Sequence, residues 1–248
     1  MKVGVFDSGI GGLTVVKSIL EEKLFDEIIY YGDTARVPYG PKDKNTIISY
    51  SLEALEFFKN FDIDMLIIAC NSVSAYAIDE LQKNTTIPVI GVIESGVLAL
   101  QSSTEDKKSD ILVIGTTATI NSNLYDTHLR NLGYENIVSI PTPLFVPMVE
   151  EGIFDGALIE EAMKLYFKDI KKTDRVILGC THFPLIEDEI SRFLNGTKTI
   201  HSGDAIVQLL KTRYDLKPLN ETKISFFASS NPDNLKNVAK RWLKLPKV

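Results

Sequence analysis

At 248 residues the chain can bury a substantial core, as one large domain or as two of about 110 to 130 residues. Hydrophobic residues make up 44% and charged residues 24%, an ordinary globular balance, while a net charge of -6 and a pI near 5.2 argue against a surface built to neutralise phosphates. Nucleic acid is therefore not an expected partner, and with no run of about 18 apolar residues a membrane span is not expected either.

The opening MKVGVFDSGIGG places one lysine and a short apolar run before Asp7. It lacks the apolar stretch of a secretory signal, so cytoplasmic residence is expected, with cysteines reduced rather than bridged. The run at 3–6 leads directly into DSGIGG (7–12) and a helical pattern beginning at Leu13. Glycines there let the backbone approach a ligand, and amides at a helix start favour an anion. A plain tight turn explains the glycines as well. The spacing is neither GxGxxG nor GxxxxGK, so a nucleotide site is poorly supported.

A second run at 28–31 precedes YYGDTAR and the turn formers of VPYG (37–40). Ile48, Leu52 and Leu55 then fall at helical spacing. The run at 65–69 ends in Cys70 within LIIACNS, and another apolar run covers 89–93. After the polar stretch QSSTEDKKSD (101–110) come a run at 111–114 leading into GTTAT (115–119), and one at 137–140. PMVEEG offers Glu150 and Glu151, which a surface carboxylate pair would also explain. Leu158, Ala162 and Leu165 repeat the helical spacing before VILGCTH (176–182), which carries Cys180.

Continuous rather than alternating apolar runs suggest strands covered on both faces, as in parallel sheets. The runs at 3, 28, 70 and 89 recur at 111, 137, 180 and 199, a nearly constant offset of 108 to 110 residues. Two similar, doubly wound α/β domains with mostly parallel sheets and pseudo-two-fold symmetry are expected, each with a thiol at the carboxyl end of its third strand. The expected division is 1–95 with 208–248, and 96–207. The tail, AIVQLLKTRYDL, ISFFAS and PDNLKNVAKRWLKL, has no partner in the repeat and is expected to pack back on the first half. Ligands bind beyond the carboxyl ends of strands in such sheets, so both thiols should face one cleft.

CNS and CTH each open a strand-to-helix turn, where amides and the Ser72 and Thr181 hydroxyls could hold a carboxylate. A helix start or a neighbouring charge can lower a thiol's pKa from about 8.5, so such a site can offer a thiolate. Two small buried hydrophobes are the plainer explanation of the cysteines. Their symmetry and polar followers weigh against it. His128, His182 and His201 with the two cysteines show no CxxC or HxxxH spacing, so zinc is not expected. No GxSxG elbow is present, although a Cys nucleophile assisted by His182 is conceivable.

VFDSGIGG, YYGDTARVPYG, ACNS, GTTAT, LFVPMVEEG and ILGCTHFPL together, in order from residue 3 to about 206, closely resemble the glutamate racemase family. The resemblance implies cofactor-independent interconversion of L- and D-glutamate, supplying the D-isomer for peptidoglycan, commonly by a homodimer. It implies Cys70 as the acid/base acting on D-glutamate and Cys180 on L-glutamate, with Asp7 assisting Cys70, His182 assisting Cys180 and Glu150 nearby. Ser8, Tyr39, Gly40, Asn71, Ser72, Thr116, Thr119 and Thr181 match substrate-contacting positions, as do Asp7 and His182. The family usually has Cys-Asn-Thr where this chain has Cys70, Asn71 and Ser72; the serine keeps the hydroxyl. Aspartate or another amino acid as substrate, or glutamate binding without turnover, are the alternative readings on this scaffold.

Overall fold

The computed structural model describes residues 1–243; the last two residues of the expected terminal segment, 244 and 245, lie outside them. The first half runs β1 (Lys2–Asp7), α1 (Leu13–Glu21), β2 (Glu27–Gly32), α2 (Lys44–Phe58) and β3 (Met65–Ile68). It continues through α3 (Asn71–Tyr76), α4 (Ile78–Lys83), β4 (Val89–Gly91) and α5 (Val92–Ser103). The second half holds β5 (Ile111–Gly115), α6 (Thr117–Asn121), α7 (Leu124–Asn131), β6 (Ile137–Pro141), α8 (Phe145–Glu150) and α9 (Ala157–Phe167). Then come β7 (Arg175–Gly179), a 3-10 turn (Phe183–Ile186), α10 (Glu187–Phe193) and β8 (Lys198–His201). The chain closes through α11 (Ser202–Tyr214), β9 (Lys223–Ala228) and α12 (Pro232–Trp242).

The strands form two parallel sheets, ordered β4-β3-β1-β2-β9 and β6-β5-β7-β8. Leaving out β9, the second order repeats the first strand for strand, with β5 standing for β1 and β7 for β3. The central strands are those whose residues are apolar without alternation: Val3, Val5, Ile67, Val113 and Ile177 are all buried. Helices on both faces supply the cover that parallel pairing requires. β9 pairs with β2, from Glu27 against Lys223 to Gly32 against Ala228, so the tail returns to the first sheet. Val16, Ile19, Leu210 and Leu235 pack together there.

Three features depart from the reading of the sequence. The run at 89–93 is a strand only to Gly91; Val92 and Ile93 already belong to α5. β6 lies at a sheet edge with one face open, leaving Val138 half exposed. Leu158 and Leu165 point to solvent, because the buried face of α9 is centred between Ala162, which is buried as expected, and Ile159, Met163 and Phe167.

Candidate active site

Cys70 is set off from the end of β3 by one residue and immediately precedes α3, while Cys180 directly follows β7. Both are buried, and both line one narrow cavity between the halves, with Ser8, Tyr39, Asn71 and Thr116 also on its wall. The pairing arises because β3 and β7 occupy equivalent places in sheets whose carboxyl edges meet. A larger open groove elsewhere, beside Tyr76 and Ile93, has neither thiol on its wall.

On the Cys70 side, the thiol donates to Ser8 Oγ at 3.5 Å. Burial, reinforced by the charge of Asp7, pushes the Cys70 thiol up to about 12. Asp7 ends β1; its Oδ1 accepts from the Gly9 amide at 2.8 Å and its Oδ2 from Thr181 Oγ1 at 3.2 Å. Burial raises the Asp7 carboxyl above its ordinary value against the opposing pull of His182 and the loop amides.

On the Cys180 side, His182 Nδ1 lies 3.7 Å from the sulphur and Nε2 lies 2.5 Å from Glu150 Oε1. Burial disfavours a charged imidazole, but hydrogen bonds to Cys180 and Glu150, with their charges, raise His182 well above the ordinary histidine range. Glu150 comes from the end of α8 and is only partly exposed, whereas Glu151 is on the surface. Of the two carboxylates in PMVEEG, one joins the site.

The glycines of DSGIGG turn out to serve contacts within the protein. A Cβ on Gly11 would sit 2.5 Å from both His182 Nδ1 and Thr181 Oγ1, and one on Gly12 would sit 2.5 Å from the Asp7 Cβ. Bare backbone here lets the first half close onto the Cys180 turn. Thr14 Oγ1 donates across the same seam to the Thr181 carbonyl at 3.0 Å.

Hydroxyls line the remaining wall. Ser72 Oγ and Thr116 Oγ1 are 2.8 Å apart across the two halves, and Thr116 Oγ1 is 3.0 Å from Thr119 Oγ1. Thr116 also caps α6, accepting from the Thr119 amide. The Gly40 carbonyl accepts from the Ala118 amide at 3.0 Å, tying the VPYG loop to the second half. Tyr39 is on the cavity wall, but its hydroxyl points away and donates to Asp33. What it offers the cavity is therefore ring and backbone.

Every site residue expected from the sequence thus lies at or beside this seam. Among the described residues, no group of three or more His, Cys, Asp or Glu is placed to hold a metal ion. Among the same residues, no helix is long and apolar enough to cross a membrane. Two buried polar residues escaped the sequence reading. Asp33 accepts from Arg36 Nε at 2.6 Å and Ser229 Oγ at 2.7 Å as well as from Tyr39, anchoring the VPYG loop. The i, i+3 spacing of Asp33 and Arg36 inside GDTAR was the available signal. Tyr125, which bonds Asn71, had none.

Comparison with known proteins supplies the family. The Asp/Glu/Hydantoin racemase model matches residues 14–210. A glutamate racemase from a Nitratiruptor species is 61% identical over 246 residues, covering 98% of this chain and 97% of that one. The chain belongs to the Asp/Glu/hydantoin racemase family. As a member it is a racemase, hence an isomerase. Within this racemase family it groups with glutamate racemases in structure also. The crystal structure of the Campylobacter jejuni enzyme matches with a TM-score of 0.98 and 56% identity, each chain covered in full. The Francisella tularensis glutamate racemase, solved in complex with D-glutamate, matches with a TM-score of 0.86 and 36% identity over 100% of this chain and 95% of that one.

Proposed function

We propose that the protein interconverts L-glutamate and D-glutamate without a cofactor, through Cys70 and Cys180 as two opposed acid/base groups. The observation that carries this is the pair of thiols on one closed cavity, each at the carboxyl end of an equivalent strand. Inversion by deprotonation needs a proton removed from one face of Cα and another delivered to the opposite face. Two groups on facing walls meet that need; one cannot.

With L-glutamate bound, Cys180 as thiolate takes the Cα proton and the Cys70 thiol protonates the other face. With D-glutamate the roles exchange. Burial keeps the Cys70 thiol protonated, the state required of the group that delivers the proton when L-glutamate is converted to D-glutamate. His182, backed by Glu150, can hold or return the Cys180 proton, and Asp7 serves Cys70 in the same way. The hydroxyls of Ser8, Ser72, Thr116, Thr119 and Thr181, the Gly40 backbone and the Asn71 amide are the proposed substrate contacts. Inside a water-poor cavity such donors stabilise the carbanionic character at Cα, as does the substrate's own ammonium group.

Glutamate rather than aspartate is favoured by the names of the relatives at 50% identity and above. The biological role we propose is supply of D-glutamate for peptidoglycan in the cytoplasm. The division into a first domain of 1–95 with 208–248 and a second of 96–207 is proposed; that β1–β4 and β9 share one sheet and β5–β8 the other supports its strand content, its boundaries falling within α5 and α11. A homodimer is proposed on the family resemblance; Leu158 and Leu165, exposed seven residues apart on α9, are apolar surface available to it. Incubation with each enantiomer of glutamate and of aspartate, followed by circular dichroism, tests the assignment. Turnover of both glutamate isomers supports it, and turnover of aspartate alone contradicts it.

A further inference from the structure

Asn71 is buried, lies on the cavity wall, and its side-chain Nδ2 has no hydrogen-bond partner among the described residues. Its Oδ1 does have one: Tyr125 OH, which donates at 2.8 Å. Tyr125 comes from α7 in the second half, Asn71 from α3 in the first, so the bond spans the seam. An unmade donor in a buried place costs free energy, and the cost is relieved when an acceptor enters the cavity.

The slot that holds Tyr125 is built from absent side chains. A Cβ on Gly96 of α5 would lie 3.0 Å from the Tyr125 hydroxyl. One on Gly179 would lie 3.2 Å from Tyr125 Cε2. Gly179 is the residue before Cys180, so the ring lies against the strand that ends in one thiol while its hydroxyl reaches the residue after the other. Burial keeps the phenol protonated, so its hydrogen is available to Asn71 Oδ1.

We infer that Tyr125 is a positioning residue: its hydroxyl fixes the Asn71 amide with the NH2 group turned into the cavity, as the donor that receives a substrate carboxylate. The inference rests on the glutamate racemase reading of this cavity. Without the hydroxyl, the amide is free to turn its oxygen inward, where it would face the carboxylate with an acceptor. Because a carboxylate is present both before and during proton transfer, the effect falls on binding more than on turnover.

The test is steady-state kinetics on Tyr125→Phe, Asn71→Ala and the double variant, with both enantiomers, beside thermal unfolding of each. Phenylalanine keeps the ring in its slot. The expected result is a rise in KM of about tenfold for both enantiomers in Tyr125→Phe, the size of one hydrogen bond to a charged group, with kcat within about twofold. In the Asn71→Ala background the same substitution should change KM by less than about twofold, since the amide it orients is gone. An unchanged KM in Tyr125→Phe overturns the inference. So does an equal rise in KM in both backgrounds, or loss of folding at the assay temperature, either of which makes the bond structural only. Failure of the wild-type protein to racemise glutamate would instead overturn the functional reading beneath it.

Discussion

His182 Nε2 and Glu150 Oε1 stand 2.5 Å apart, joining a histidine from the turn after β7 to a carboxylate from the end of α8. Together with the contact to Cys180, this bond holds the ring above its ordinary protonation range in spite of burial. Replacing Glu150 by Gln removes the charge and keeps the shape. The expected outcome is a His182 titration moved to lower pH and a fall in kcat of up to about a hundredfold, the low end of what one general acid/base group contributes, since Glu150 acts only through His182. Because the folded value is raised, the favourable protonation of His182 is present in full below the unfolded value and is lost as pH rises through the folded one. The alkaline limb of the kcat/KM profile should accordingly move to lower pH in Glu150→Gln. An unmoved limb would mean that Glu150 does not act on His182.

Cys70 carries a stability signature of its own. Its thiol is pushed up to about 12 from an ordinary value of 9.0, chiefly by burial. Between those values the unfolded chain gives up the proton while the native protein keeps it, so this contribution to stability is complete below the lower value and declines as pH rises toward the upper one. Urea unfolding at several alkaline pH values should show wild type losing up to about 1.4 kcal/mol more per pH unit than Cys70→Ser. Equal slopes would show that the thiol ionises as readily in the folded protein as in the unfolded chain.

Gly11 tests the closure of the seam. Its missing Cβ would fall 2.5 Å from His182 Nδ1 and from Thr181 Oγ1. Gly11→Ala must displace the Cys180 turn, and overpacking of this kind costs about 1–3 kcal/mol. We expect that loss in urea unfolding, together with a fall in kcat of at least about a hundredfold as His182 shifts. Normal activity in Gly11→Ala would show that the approach of Gly11 to His182 is dispensable.

Much of this architecture is written in local pattern. The runs around Val3, Ile67, Val113 and Ile177 are apolar without alternation because both faces are covered, and that alone separates central parallel strands from edges. Cys70 and Cys180 stand out because they end matching runs 110 residues apart. Position along α9 was not legible, since Leu158 and Ile159 are equally apolar and only the packed partner decides which is buried. Nor were the roles of Asp33 and Tyr125, whose hydrogen bonds join residues set by tertiary placement rather than by spacing. Gly11 could be read only as permissive; that it makes room for a histidine 171 positions away is a fact of the closed seam.

The most direct test of the two-thiol account is incubation of the reduced protein, without added cofactor, with L-glutamate and with D-glutamate separately in deuterated water, following optical activity and Cα deuterium. The account predicts racemisation from both sides, with deuterium appearing first in the inverted product, because the proton removed at one thiol is not the one returned from the other. Folded, reduced protein that exchanges the Cα proton of neither enantiomer would contradict it.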